Sequence, residues 1–226
     1  MNILRSLLFY SLFYGGTVCL LLFALLVVAV APSRIRGVAD GWARYHRFCV
    51  TKFLAITVRK EGTEPDYPVL YAFKHESFFE AIDLPVALNC PVIFAKEELF
   101  RIPGWGAAAL AYGVVPVARD GGAKTLRKMI RSAREFVGQG RPLAIFPEGT
   151  RVPHGEVAPL RSGFAGIYKM MRIPVVPVAV DSGPLYHRFW KRKGTITLHF
   201  GDVIPADLPR AEIESRVLTA INALNA

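Results

Sequence analysis

The chain has 226 residues, 52% of them hydrophobic, with three cysteines and a formal net charge of +10. That length holds one medium domain plus an appendage, and the apolar content excludes a disordered chain. Cys19, Cys49 and Cys90 are odd in number, far apart and without a CxxC, which excludes a disulfide scaffold and cysteine-based zinc chemistry.

Mean hydropathy is +0.31, and much of the excess lies at the N-terminus. No charged side chain occurs from Ser6 to Ser33. As a helix this stretch would be roughly 40 Å long at about 1.5 Å per residue, enough to span a hydrocarbon core of about 30 Å. It exceeds the apolar region of a cleaved signal peptide and lacks a small-residue cleavage site before Arg34, so it reads as an anchor. Gly15-Gly16 is a candidate break, which leaves a spanning helix and a segment returning to the same leaflet both open. Arg34, Arg36, Arg44 and Arg47 follow the apolar run and only Arg5 precedes it, which places the C-terminal side in the cytoplasm. The net positive charge asks for a polyanionic partner; beside such an anchor that is the phospholipid bilayer, and no nucleic-acid-binding motif is present. Residues 39–56 place Trp42, Tyr45, Cys49 and Phe53 at helical spacing. They fit a helix in the headgroup layer or a domain helix that buries Trp42. Residues 1–58 are thus read as the membrane anchor with its interfacial helix, and 59–226 as the folded domain.

Past residue 60, short apolar strands alternate with helical stretches. Strands are expected at 67–73, 91–96, 113–119, 142–147, 174–180 and 194–204, and helices at 78–89, 104–111, 123–138, 163–171 and 209–224. This alternation predicts an α/β domain with a sheet flanked by helices. The helix from Ala123 carries Lys124, Arg127, Lys128, Arg131 and Arg134 on one side and Leu126, Met129, Ile130, Ala133 and Phe136 on the other. Its basic stripe fits a solvated face or a face against anionic headgroups, and the run His187–Lys193, aromatic and cationic, admits the same two readings.

Two segments carry chemistry. Lys74-His75-Glu76-Ser77-Phe78-Phe79-Glu80 follows the strand at 67–73, so His75 falls where α/β sheets place ligands. Glu80, five residues on, can fold back to one imidazole nitrogen, fix the tautomer and leave the other nitrogen to accept a proton. Phe146-Pro147-Glu148-Gly149-Thr150-Arg151 follows the strand at 142–147 and offers close backbone approach, a hydroxyl and a planar guanidinium suited to phosphate. His154 reads as a solvated loop histidine, and His46, His187 and His199 have no motif partner. No G-x-S-x-G elbow is present, which counts against a serine hydrolase.

HESFFE followed by FPEGTR resembles the glycerophosphate acyltransferase family. Lys96-Glu97-Glu98-Leu99 with Pro103, Gly104, Trp105, Gly106, Gly113, Pro116 and Arg119 is similar to the family's second block, and Ile173–Val178 with Pro177 to its fourth. The resemblance covers about residues 70–181. It implies a mixed, mostly parallel sheet flanked by helices, with transfer of a fatty acyl group from acyl-CoA or acyl-carrier protein to the sn-2 hydroxyl of 1-acyl-glycerol-3-phosphate, giving phosphatidate. In that scheme His75 is the general base and Glu80 its orienting carboxylate, while Lys96, Arg119, Glu148, Gly149, Thr150 and Arg151 hold the acceptor. No acyl-enzyme, metal or further cofactor is implied, and the location is the cytoplasmic side of a bacterial inner membrane. One position departs: the family's His-x4-Asp is His-x4-Glu here, with Asp83 the only nearby substitute. Two other readings remain, a lyso-aminolipid acceptor without phosphate and a non-catalytic lipid-binding protein.

Overall fold

The computed structural model describes residues 1–117 and 122–225. Arg119, from the expected acceptor set, lies outside the described residues, as do the side chains of Lys124 and Lys128 from the expected basic stripe and of Leu126 from its apolar face.

The N-terminus forms helix α1 (Asn2–Val30), joined by a 3-10 turn (Pro32–Arg34) to α2 (Ile35–Phe53). Helix α1 runs unbroken through Gly15-Gly16, contrary to the sequence-based expectation of a candidate break. A Cβ on Gly16 would lie 2.4 Å from the Tyr45 hydroxyl, so glycine there lets α2 approach closely. Two bonds clamp the pair: the Tyr45 hydroxyl donates to the Leu12 carbonyl at 2.6 Å, and Trp42 Nε1 donates to Thr17 Oγ1 at 3.1 Å. Phe9, Phe13, Ala24 and Val27 of α1 are buried, while Leu4, Leu8, Val18, Leu22 and Leu26 are exposed. The exposed set is an unpartnered apolar face that water does not favour. Helix α2 buries Ala43, His46, Cys49 and Val50 against the domain, while Trp42, placed in the core by the domain-helix reading of 39–56, is only half-buried.

Strand β1 (Ile56–Glu61) follows, then β2 (Leu70–Phe73), α3 (Phe78–Ala87), β3 (Val92–Lys96), α4 (Trp105–Tyr112) and β4 (Val115–Val117). Helix α5 (Gly122–Gly138), β5 (Leu143–Ile145), α6 (Ser162–Met171), β6 (Val175–Val180), α7 (Gly183–Tyr186), β7 (Gly194–Phe200) and α8 (Arg210–Ile221) complete the chain. The strands form one seven-stranded sheet in the order β1-β7-β6-β2-β5-β3-β4. All neighbours are parallel except β6 and β7. Strands β2 and β6 are buried at every residue, as central strands covered on both faces must be. Alternation along β2 sends Tyr71 and Phe73 into a core with Phe9, Leu54 and Phe79, and Leu70 and Ala72 into a second core with Ile130, Phe164 and Val217.

Strand β1 was not expected from the sequence, and it begins within the segment read as anchor. Its partner β7 lies far along the chain, pairing Ile56 with Gly194, so no local pattern announces it. Asp83 is fully buried and gripped by the Arg47 guanidinium, with Nε to Oδ1 at 2.7 Å and a second bond to Oδ2. That pairing ties α3 to α2. Arg47→Ala should therefore cost about 3 kcal/mol or more in chemical unfolding, because it strands a buried carboxylate. The double change Arg47→Met with Asp83→Leu should recover most of that loss.

Candidate active site

The carboxyl ends of β6, β2 and β5 lie side by side, and the chain leaves each of them into the site. After β2, Lys74 and His75 lead to Ser77, the N-cap of α3. The Phe79 N–H donates to Ser77 Oγ at 3.0 Å, and Glu80 reaches back to the Ser77 N–H at 2.6 Å, forming a capping box. Glu80 Oε1 also accepts from the Glu76 N–H at 2.7 Å and faces His75 Nδ1 at 2.9 Å. Its Oε2 accepts from Ser182 Oγ at 2.7 Å and Ser77 Oγ at 3.0 Å. Burial would raise the Glu80 carboxyl, but the His75 imidazole, the Ser182 hydroxyl and the Ser77 N–H outweigh it and hold it below its ordinary value. An ionised carboxylate only accepts, so Nδ1 carries the proton and Nε2 is the free acceptor.

This arrangement accounts for the departure from His-x4-Asp. A capping box favours glutamate or glutamine at its third helical position, and the longer side chain here satisfies backbone donors and imidazole together. Asp83 is already engaged by Arg47 and does not reach His75.

The His75 ring is 17% exposed and stacks on Phe146 with centroids 4.2 Å apart. Its backbone joins it to the second motif: the His75 N–H donates to Glu148 Oε2 at 3.1 Å, and its carbonyl accepts from the Val152 N–H at 2.8 Å. Beneath them Lys74, fully buried, donates to Glu148 Oε1 at 2.8 Å, the Glu156 carbonyl at 3.0 Å and Asn222 Oδ1 at 2.8 Å. Glu148 therefore lies behind the site with both oxygens occupied, not in the cavity where the expected acceptor set put it. A buried lysine needs a paired carboxylate, and that need decides its position.

Gly149 has φ +66°, and a Cβ there would lie 2.8 Å from Arg161 Cγ, so both conformation and space call for glycine. Thr150 and Arg151 are exposed, and the Arg151 guanidinium sits 4.2 Å over the Phe78 ring. His75, Lys96, Gly149, Thr150, Arg151 and Arg161 line one cavity of about 1270 Å³. The rest of its lining is largely apolar, drawn from Leu20, Leu21 and Ala24 of α1, Ile35 and Trp42 of α2, and Phe94, Trp105, Phe164 and Ile167.

Sequence reasoning missed Ser182 and Arg161 as parts of this site, and gave Phe146, named only within its motif, no role against the His75 ring. Ser182 had a usable signal in its place just after β6 at the same sheet edge, while Arg161 is brought in only by the loop that bonds its N–H to the Pro147 carbonyl at 2.8 Å. His154 is not simply solvated: its Nδ1 meets Glu76 Oε1 at 2.9 Å, and Glu76 Oε2 accepts from the Gly183 N–H at 2.7 Å. His46 is fully buried with Nε2 2.8 Å from the Tyr186 hydroxyl. Burial, with the Lys191 and Arg47 charges, pushes it down to about 3, so it is a neutral core group.

The acyltransferase family model matches residues 55–181, more than half of the chain. The 1-acyl-sn-glycerol-3-phosphate acyltransferase of Pseudomonas aeruginosa is 25% identical over 210 residues, 90% of this chain and 82% of that one. The human 1-acyl-sn-glycerol-3-phosphate acyltransferase alpha is 27% identical over 191 residues, covering 82% of this chain and 65% of its own. The crystal structure of the 1-acyl-sn-glycerophosphate acyltransferase PlsC from Thermotoga maritima superimposes with a TM-score of 0.68 at 23% identity, covering 100% of this chain and 96% of that one, which establishes a shared fold. A model match over the same residues that carry the His75–Glu80 pair and the Gly149–Arg151 turn leaves one conclusion: the chain belongs to the acyltransferase family.

Proposed function

We propose that the chain is a membrane-anchored acyltransferase that moves a fatty acyl group from acyl-CoA or acyl-carrier protein to the sn-2 hydroxyl of 1-acyl-glycerol-3-phosphate. The observation that carries this reading is the meeting, in one cavity, of a carboxylate-oriented imidazole, a Gly-Thr-Arg turn and a long apolar lining. The names of the relatives support the same acceptor.

The acceptor hydroxyl donates its hydrogen bond to His75 Nε2. As its oxygen attacks the thioester carbonyl, the proton passes to Nε2, and the Glu80 carboxylate stabilises the imidazolium through Nδ1–H. Collapse of the tetrahedral intermediate breaks the C–S bond, and the imidazolium returns the proton to the leaving thiolate. The ester forms directly, and Ser77 is spent on capping α3 and bonding Glu80, which leaves it no part as a nucleophile. A thioester is already an activated acyl group, so this scheme asks for no metal ion or other cofactor.

Arg151 and Thr150, at the exposed turn, suit the acceptor phosphate, with Lys96 and Arg161 adding positive charge to the same cavity. The cavity exceeds the ordinary range of ligand pockets, about 300–1,000 Å³, as a site for acyl chains requires. Helix α1, which contains an 18-residue stretch with a mean hydropathy of 2.5, is long and apolar enough to cross a membrane. It is nevertheless docked on the domain from Ser6, which accepts from the Lys191 N–H, to Leu25, beside Gly104. That docking favours a helix lying in one leaflet with its exposed leucines in the acyl region, on the cytoplasmic side by the arginine asymmetry. Since α1 also lines the cavity, lipid would enter from the bilayer.

Purified protein incubated with labelled acyl-CoA or acyl-carrier protein and lysophosphatidate should yield labelled phosphatidate. A competing lyso-aminolipid without phosphate should be acylated far more slowly, and the reverse preference would overturn the assigned acceptor. His75→Ala should lower kcat by about 10³-fold, within the range for loss of a general base, in a protein that still folds. Glu80→Asp should keep most of the activity, whereas Glu80→Gln should lose about two orders of magnitude. Arg151→Ala should raise KM for lysophosphatidate by about tenfold or more, and Arg151→Lys should recover only part of it.

A further inference from the structure

The segment His187–Lys193, between α7 and β7, leaves its largest apolar side chains in the open. Phe189 is 71% exposed and Trp190 39%, with their rings edge to face at 4.6 Å. Such a display normally signals a loose loop or a surface made for contact. The loop is not loose. Lys191 turns inward, is buried, donates from Nζ to the Tyr186 carbonyl at 2.7 Å, and lies 3.7 Å over the Tyr186 ring. The Lys191 N–H donates to Ser6 Oγ of α1 at 2.9 Å, the Tyr10 hydroxyl of α1 donates to the Phe189 carbonyl, and the Arg192 N–H donates to the Leu185 carbonyl at 3.0 Å. A buried lysine thus holds an aromatic tip outward and bolts it to the first turns of α1.

The tip is continuous with α1. Tyr14 stacks on Tyr10 at 6.0 Å, Tyr10 meets Phe189 at 5.9 Å, and Phe189 meets Trp190, so one aromatic row crosses from helix to loop. Arg188, Arg192 and Lys193 are exposed around it. Residues 182–201 contain no Asp or Glu, so that stretch of chain offers these cations no carboxylate. Tyrosine and tryptophan rings with a polar edge, beside an apolar phenylalanine and flanked by arginine and lysine, match the boundary between headgroups and acyl chains.

We infer that residues 187–193 form a second membrane-contacting element: Phe189 and Trp190 insert at the headgroup boundary, while Arg188, Arg192 and Lys193 hold anionic lipid headgroups. The inference rests on the reading of α1 as lying in the bilayer and adds to it a fixed depth, since the loop is tied at Ser6 and Tyr10. An acidic carrier protein would meet the same cations, but it gives no reason for two exposed aromatic rings continuous with an apolar helix face.

The test uses the full chain in nanodiscs of phosphatidylglycerol and phosphatidylcholine, with and without bromine on the acyl chains. The emission of Trp190 is read as the wild-type spectrum minus that of Trp190→Phe. It should be blue-shifted and lose at least half its intensity in brominated discs, and Arg188→Gln with Arg192→Gln and Lys193→Gln should reduce that quenching. Phe189→Ser with Trp190→Ser should raise KM several-fold for a long-chain acceptor in the disc and leave KM for a water-soluble short-chain acceptor unchanged. A water-like, unquenched Trp190 in disc-bound protein overturns the inference and leaves α1 untouched, and so does a Trp190 shielded only when acyl-carrier protein is added. Protein that does not remain with the discs at all overturns both readings.

Discussion

The site depends on how one buried carboxylate is satisfied. Removing an ionised carboxyl from water costs several kcal/mol, so Glu80 can stay charged only if donors surround it. They come from several levels of structure: backbone N–H groups of the α3 cap, the Ser77 and Ser182 hydroxyls, and the His75 imidazole. The interaction that begins the helix is therefore also the one that sets the histidine tautomer. Ser182 arrives from the end of β6, so the same carboxylate senses whether the sheet is correctly assembled.

A second buried ion pair, Lys74 with Glu148, does for the two motifs what Glu80 does within the first. It joins the ends of β2 and β5 beneath the His75 imidazole, and Asn222 and the Glu156 carbonyl fill the remaining donor directions of the ammonium. The Gly149–Arg151 turn is held in place from below and left exposed above. Helix α1 completes the arrangement by offering one face to α2 and the cavity and leaving the other, apolar, exposed.

Much of this was legible in the sequence because it is local. The strands ending at Phe73 and Ile145, the helix after Ser77 and the pairing of His75 with Glu80 follow from periodicity, capping and a spacing of five residues. What was not legible depends on partners distant in the chain. Strand β1 exists because β7 pairs with it, and Ser182 enters the site because β6 lies beside β2. Glu148 was placed with the acceptor because its motif resembles a binding turn, but Lys74, 74 positions away, draws it into the interior. Gly15-Gly16 stayed open as a candidate break for the same reason: the Tyr45 ring that explains Gly16 belongs to another helix.

A double-mutant cycle on phosphatidate formation tests the centre of this account most directly. If Glu80 acts on the reaction only through the imidazole, removing its charge should cost nothing further once that imidazole is gone. The combination of His75→Ala and Glu80→Gln should then be no slower than His75→Ala alone. Losses that multiply would contradict it, and would show Glu80 reaching the reaction by a route independent of His75.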